Sequence, residues 1–243
     1  MKKYGLIGFP LAHSFSKQYF SAKFENENIK NTCYELIPLQ DISLFQEIIK
    51  NEVYSGYNVT IPYKQSIIKY LDFLDDTAKE INAVNTIKVF NNRLTGYNTD
   101  VYGFEKSLKP LLKPWHKSAL ILGTGGGSKA VEYVLKKLNI NLLFVSRNPV
   151  NKYQIKYSDI NEQIINSHHL IINCTPVGMY PHIDNAPLIP YKLLTNKHLL
   201  FDLVYNPEIT MFLKSGKENG AETINGLKML HLQAEKSWEI WNS

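Results

Sequence analysis

Residues 118–147 hold the pattern that most narrows what this chain can become. Ala119-Leu120-Ile121-Leu122 is a short, wholly apolar run, as a parallel strand buried on both faces requires. It stops at Gly123-Thr124-Gly125-Gly126-Gly127-Ser128, after which Ala130, Val131, Val134, Leu135 and Leu138 recur at helical spacing. Asn139 breaks that period, and Leu142-Leu143-Phe144-Val145 supplies a second buried strand. Together they form one βαβ unit. Its glycines let the chain turn tightly and bring bare backbone N–H groups to a pyrophosphate, and the positive end of the helix favours the negative charge. A Gly-rich turn can also serve tight packing alone; the flanking strand and helix are the context that favours a dinucleotide. The third fingerprint position is Ser128 where Gly or Ala is usual.

The 243 residues can bury a proper core and fit one large or two small domains, of which two is the expectation. The formal charge of +5 comes from a Lys-rich surface without a basic run long enough, or interleaved enough with aromatics, to read nucleic acid. A basic balance does suit small anionic ligands. The two cysteines, Cys33 and Cys174, sit in apolar strand-like runs and are expected as buried free thiols in a reducing compartment. Lys2-Lys3 precedes an apolar stretch, but Pro10 and His13 interrupt it early and no small-residue cleavage site follows, so a first strand is expected rather than a signal peptide. No apolar run approaches bilayer-spanning length, and the expected location is the cytoplasm, without membrane. The seven histidines are scattered, and His168-His169 on a strand would face opposite ways, so no metal site is expected.

Strand-like segments at residues 4–9, 32–37 and 55–60 alternate with helical ones carrying Tyr19, Phe20 and Phe24, then Ile42, Phe45, Ile48 and Ile49. That alternation builds a mostly parallel sheet. A short helix holds Ile67, Ile68 and Leu71, Asp75-Asp76-Thr77 starts another helical turn, and residues 84–89 and 93–97 make a hairpin through Asn91-Asn92. Asp100 can cap a helix through Tyr102, Phe104 and Leu108. The domain boundary is placed there. Further strands are expected at 154–157, 170–174 and 199–204, with helices at 208–217 and 227–241. Residues 146–153 are too few for the helical crossover that normally joins parallel strands, so this half is expected to be trimmed. The fold class is therefore α/β: a mostly parallel α/β domain over residues 1–100, completed by a C-terminal helix at 227–243, and a Rossmann-like dinucleotide domain over 101–226 with a shortened crossover after its second strand.

Asn58-Val59-Thr60-Ile61-Pro62-Tyr63-Lys64 places polar groups at the C-terminal end of a strand, where open α/β sheets bind ligands. Lys64 alone in this run carries both a transferable proton and a positive charge. Beside a carbonyl being reduced, it could protonate the developing alkoxide and stabilise its charge, with Asp100 a candidate acidic partner. A solvated surface lysine and a helix-capping aspartate are the plain alternative.

Several short motifs occur in order along nearly the whole chain: Gly8-Phe9-Pro10-Leu11-Ala12-His13-Ser14-Phe15-Ser16, Asn58 to Lys64, Asn82 to Thr86, Asn98-Thr99-Asp100, Asn173 to Met179, Asp202 to Pro207, and Gly226 to Gln233. In this set the chain resembles the shikimate dehydrogenases, NADP-dependent enzymes that reduce 3-dehydroshikimate to shikimate on the chorismate route to aromatic amino acids. The resemblance implies Lys64 and Asp100 as the catalytic pair. It implies Ser14 and Ser16 as hydroxyl donors to the substrate carboxylate, Thr60, Asn85, Asp100 and Gln233 as partners of the ring hydroxyls, and Tyr205 closing the pocket. For NADP it implies Asp76, Gly123, Thr124, Gly125, Gly126, Gly127, Ser146, Arg147, Thr175, Leu203 and Gly226. Each has a plain competitor: Ser14 and Ser16 as helix caps, Asn85 as a turn residue, Asp76 as a helix-start acid, Gln233 as an exposed helix position.

An NAD site usually offers an acid after the second strand for the ribose 2′-hydroxyl, whereas this chain has Ser146-Arg147 there, and a guanidinium suits a 2′-phosphate. The family's second basic residue is displaced by one position, to Lys152. A quinate/shikimate dual-specificity dehydrogenase and a non-catalytic ligand sensor are the alternatives. Expected partners are a small-molecule substrate and, at most, a second copy of the chain, as monomer or homodimer.

Overall fold

The computed structural model describes residues 1–11 and 14–243; Ala12 and His13 of the opening motif lie outside the described residues. The chain divides into two compact units, residues 1–99 with 233–243, and residues 100–232.

The first unit alternates β1 (Lys2–Gly8), α1 (Phe15–Asn26), β2 (Thr32–Pro38), α2 (Phe45–Asn51) and β3 (Gly56–Val59), and then adds β4 (Phe73–Leu74), α3 (Asp76–Ile81), β5 (Thr86–Phe90) and β6 (Arg93–Tyr97). The sheet order is β2-β1-β3-β5-β6-β4, parallel across β2, β1 and β3 and antiparallel at β3–β5 and β5–β6. Ser14 caps α1 and Asp75 caps α3, each accepting a backbone N–H that the helix cannot satisfy internally. The hairpin turns on Asn91 and Asn92, both at positive φ, the conformation a two-residue hairpin loop needs. Where residues 67–71 read as a short helix, the backbone forms a 3₁₀ turn at Ser66–Tyr70 followed by the two-residue β4.

Alternation along β1 sends Tyr4 and Leu6 to one layer and Ile7 to the other. The first layer holds Phe20, Phe24, Tyr34, Ala234 and Trp241, and the second Phe45, Tyr57, Val59, Tyr63 and Ile87. Gly56 must lack a side chain, because a Cβ there would drive into the Trp241 ring and to 2.9 Å from the Ile87 carbonyl, which accepts the Trp241 indole N–H at 3.0 Å.

The second unit comprises α4 (Asp100–Leu108), β7 (Ser118–Leu122), α5 (Gly126–Lys137), β8 (Asn141–Val145), β9 (Gln154–Ile155), α6 (Glu162–Ser167), β10 (Leu170–Asn173), β11 (Leu199–Asp202), α7 (Met211–Glu218) and β12 (Glu222–Ile224). It also includes the start of α8 (Leu227–Asn242), whose residues from Gln233 onward belong to the first unit. The sheet is parallel throughout, in the order β12-β11-β10-β7-β8-β9. Asp100 is the first residue of α4 rather than a cap outside it. The helix expected from residue 208 starts at Met211, because the Thr210 hydroxyl accepts the Leu213 N–H and fixes the start there. Strand β9 stops at Ile155 because Tyr157–Asp159 coils into a 3₁₀ turn. The short α6 and β12 carry too few residues for a readable period.

The β8–β9 crossover is indeed short and holds no helix. Successive right-handed steps from β7 to β8 to β9 put both crossovers on one face, so the place beside α5 stays open. A cleft of about 640 Å³ lies there, lined by Lys129, Glu132 and Lys136 of α5 and by Leu142, Phe144 and Tyr153.

Below the opposite ends of the strands, His116 and His198 are buried as fixed neutral tautomers. Each accepts a backbone N–H at Nδ1, from Lys113 and Thr195, which leaves Nε2–H to donate to the Lys197 and Ile165 carbonyls. Burial holds the imidazoles of His116, His168 and His198 below the usual histidine range, and neighbouring His169 adds to the effect. A group harder to protonate when folded takes up protons on unfolding, so its contribution to stability is intact above about pH 6.5 and is lost as pH falls below it. The thermal midpoint should therefore fall between pH 7 and 5.5, and His198→Gln should flatten that slope; a slope unchanged in the variant would exclude His198 as its source.

Candidate active site

Strand β7 ends where the chain must reverse into α5, and Gly123 makes the turn at φ 97°, where a Cβ would fall 2.7 Å from Thr175 Cγ2. Gly125 caps α5 without a side-chain hydrogen bond, which leaves the first helical N–H groups to an anion. At Gly125 and Gly126 a Cβ would meet no protein atom within 4 Å. The protein's own packing does not demand glycine there; a ligand lying against the backbone would. This arrangement fits a dinucleotide pyrophosphate. Ser128 accounts for its departure from the usual Gly or Ala, since its hydroxyl turns back to donate to the Gly125 carbonyl at 2.7 Å and so tightens the loop.

Further residues named from the sequence gather at the same strand ends. The Asn173 carbonyl at the end of β10 accepts the Leu203 N–H, and the Val204 carbonyl accepts that of Gly226. Leu203 lies 3.1 Å from the Cβ position of Gly127, and Gly226 packs directly on the Leu203 carbonyl. Asn173 Oδ1 accepts both the backbone N–H and the hydroxyl of Thr175, at 3.0 and 2.6 Å, and its Nδ2 donates to Asp202 at 2.9 Å. Asp202 also accepts from Val204 N–H and from the Thr210 hydroxyl, at 3.0 and 2.6 Å. Burial pushes its carboxyl up to about 6, against the pull of these three hydrogen bonds. Ser146 and the exposed Arg147 follow β8, whose Val145 carbonyl holds the Gly123 N–H; the Ser146 hydroxyl accepts the Asn148 N–H. Tyr205 is half-buried after β11, and Asp100 is buried in the first turn of α4. Asp76 belongs to the first unit, at the start of α3, where its charge suits the helix end.

In the first unit the Thr60 N–H is held by the Ile7 carbonyl, and the Lys64 carbonyl by the Val84 N–H at 2.7 Å. Tyr63 pins the turn between them by donating its hydroxyl to the Leu39 carbonyl. Lys64 is half-buried. The Ser14 oxygen accepts the Ser16 N–H, so capping uses a lone pair and the hydroxyl hydrogen remains a donor: cap and ligand roles are compatible. Asn85 is nearly fully buried; its Oδ1 accepts the Thr99 N–H at 2.7 Å, and its Nδ2 donates to Thr99 Oγ1 and Gln233 Oε1. Thr60, Lys64, Asn85 and Gln233 thus belong to one set of strand ends and the helix crossing them.

Residues 6–87 match the family model for the shikimate dehydrogenase substrate binding domain. The shikimate dehydrogenase (NADP(+)) of Methanococcus vannielii is 40% identical over 263 aligned residues, covering 98% of this chain and 90% of the relative. The chain belongs to the shikimate dehydrogenase family. Among solved structures, a shikimate dehydrogenase in complex with NADP+ matches with a TM-score of 0.87 at 33% identity, covering 99% of this chain and 90% of that one. A shikimate dehydrogenase from Thermus thermophilus, in complex with NADP(H) and shikimate, matches with a TM-score of 0.86 at 28% identity, over 99% and 93% of the two chains.

The sequence motifs contain Asn58 and Thr99 of the first unit and Asn173 and Asp202 of the second without assigning them a role, and Ser237 and Thr210 fall outside every motif. A signal was present: Asn58, Asn173 and Asp202 are polar residues closing apolar strands, and Ser237 shares a helix face with buried neighbours.

The two loop glycines and Gly226 should respond differently to a methyl group. Gly126→Ala should keep the thermal midpoint within about 2 °C but weaken NADPH binding about tenfold or more, a loss of about 1.4 kcal/mol. Gly226→Ala should instead lower the midpoint. Unchanged NADPH titration in Gly126→Ala would show that no ligand lies against that backbone.

Proposed function

We propose that this chain is an NADP-dependent shikimate dehydrogenase, reversibly reducing 3-dehydroshikimate to shikimate in the cytoplasm, as monomer or homodimer. The observation that carries the reading is the pair Gly125 and Gly126, where an added Cβ would meet no protein atom within 4 Å, in front of a helix start without a side-chain cap. Gly123 to Gly127 would hold the pyrophosphate, Thr175, Leu203 and Gly226 the remaining body of the dinucleotide, and Ser146 with Arg147 its 2′-phosphate; Asp76 is retained as a minor contact. Bound NADPH supplies the hydride.

Lys64 gives a proton to the carbonyl oxygen of the substrate as that oxygen becomes a hydroxyl, and its positive charge favours the alkoxide in the transition state. Asp100 is the carboxylate that orients this ammonium and accepts from a ring hydroxyl. Ser14 and Ser16 donate to the substrate carboxylate. Thr60, Asn85 and Gln233 bond the ring hydroxyls, with Tyr205 closing the pocket. A polyol acid suits such a set of short donors and acceptors, because an analogue lacking one hydroxyl would leave a buried group unpaired.

Wild-type protein mixed with shikimate and NADP should raise absorbance at the reduced-nicotinamide band, and should do so faster than with quinate; silence with both would point to a ligand sensor. Lys64→Ala should lower kcat by about 10²–10⁴-fold, the usual scale for a lost acid–base group, while the shikimate KM stays nearly intact. A lost KM with kcat preserved would make Lys64 a substrate clamp.

Cofactor choice has its own test. Arg147→Ala should raise the KM for NADPH far more than that for NADH, since only the former carries the 2′-phosphate that a guanidinium can fork onto. Equal increases would remove Arg147 from that role.

A further inference from the structure

Ser237 is fully buried in α8, one turn beyond Gln233, and takes no part in the substrate contacts proposed above. Four polar groups converge on its hydroxyl: the Gln233 carbonyl at 2.9 Å, Asn58 Nδ2 at 3.0 Å, Thr86 Oγ1 at 2.7 Å and Thr99 Oγ1 at 3.2 Å. A carbonyl can only accept and an amide nitrogen can only donate. Ser237 therefore gives its one hydrogen to Gln233 O and receives one from Asn58, with the Thr86 hydroxyl as the short second donor. Asn58 is itself oriented by the Tyr34 hydroxyl, which donates to its Oδ1 at 2.8 Å and is also hydrogen-bonded with Ser16.

The same reasoning fixes the amides beyond Ser237. The Thr99 N–H donates to Asn85 Oδ1, so the other end of that amide, Nδ2, is the donor that faces Gln233 at 3.4 Å. The Gln233 atom it meets must be the oxygen, which also faces the Thr99 hydroxyl at 3.4 Å. With Oε1 turned inward, Gln233 addresses a substrate hydroxyl through its N–H group. Those two bonds are long, and the helix turn that carries them is the one Ser237 ties to Asn58, Thr86 and Thr99.

We propose that Ser237 is a positioning residue, which docks the Gln233 turn of α8 onto Asn58, Thr86 and Thr99 and thereby sets the Gln233 amide to present its N–H, rather than its oxygen, to a substrate ring hydroxyl. This rests on the reading of Gln233 as a substrate contact. Removing the Ser237 hydroxyl takes from Asn58 Nδ2 and from the Thr86 hydroxyl their nearest acceptor, at 3.0 and 2.7 Å against 3.2 Å or more for the others, which frees the turn and lets the Gln233 amide rotate.

The test is a kinetic cycle of Ser237→Ala, Gln233→Ala and the double variant, with shikimate and NADP, at a temperature below each variant's measured thermal midpoint. Ser237→Ala should raise the shikimate KM about five- to tenfold while kcat and the NADP KM stay within about twofold, and in the Gln233→Ala background the same change should add less than about twofold. Ser237→Cys, which keeps an atom at the γ position but makes only weak hydrogen bonds, runs the same cycle if the alanine variant does not fold. An unchanged KM in the Ser237 variants, or effects that multiply in the double variant, overturns the proposal; a merely structural serine would lower the midpoint and leave the KM alone. If Gln233→Ala alone leaves the KM unchanged, the substrate contact itself is refuted, a failure distinct from that of the Ser237 clamp.

Discussion

A polar side chain buried away from water must find its partners inside the protein, and an unpaired one costs about 1–3 kcal/mol. In each unit that requirement falls at the C-terminal ends of the central parallel strands. Asn58 lies at the end of β3, and Asn173 and Asp202 close β10 and β11. Their partners lie on neighbouring strands and on remote segments as well as on the loops that follow: Asn58 meets Tyr34, Thr86 and Ser237, and Asp202 meets Asn173, Val204 and Thr210. The strand ends thus dictate where those segments lie, which is how a sheet built from apolar side chains delivers polar groups in fixed positions.

The two knots differ in chemistry. In the second unit a carboxyl is the hub, and its burial is costly enough to bring its pKa to about 6 despite three donors. Those donors belong to the end of β10, to the loop carrying Val204 and to the cap of α7, so Asp202 ties three chain segments together. In the first unit the hub is made of neutral hydroxyls and amides on Asn58, Thr86, Thr99, Asn85 and Ser237. A neutral network places no charge of its own beside a substrate. It specifies donor and acceptor directions instead, which suits recognition of hydroxyls.

Much of the second sheet's centre was legible in the chain because its signals were local: an apolar run, glycines, a helical period and a second apolar run from Ala119 to Val145 fold as β7, α5 and β8. The Asn91-Asn92 hairpin was legible for the same reason, with both asparagines at positive φ. What escaped was short or cooperative. Strand β12 has three residues and α6 six, and both exist because neighbouring elements pair or pack against them. The polar knots escaped differently: Asn58 and Ser237 lie 179 residues apart, and nothing in the local sequence of either says that they meet.

The trimmed crossover shows which parts of a βαβ unit are dispensable. A helix there would cover Leu142 and Phe144, which instead line the open cleft. Strand β9 stays in place because its backbone partners do not depend on that helix: Ser146 N–H reaches the Ile155 carbonyl, and Phe144 N–H the Tyr153 carbonyl. The turn between them satisfies its own donors through side chains, with Ser146, Asn151 and Gln154 accepting the N–H groups of Asn148, Tyr153 and Val150. Losing the cover costs only apolar burial on one face, at roughly 25 cal/mol per Å². The strand end that carries Ser146 and Arg147 is set by the ladder and by this turn, so the crossover can shrink without moving them.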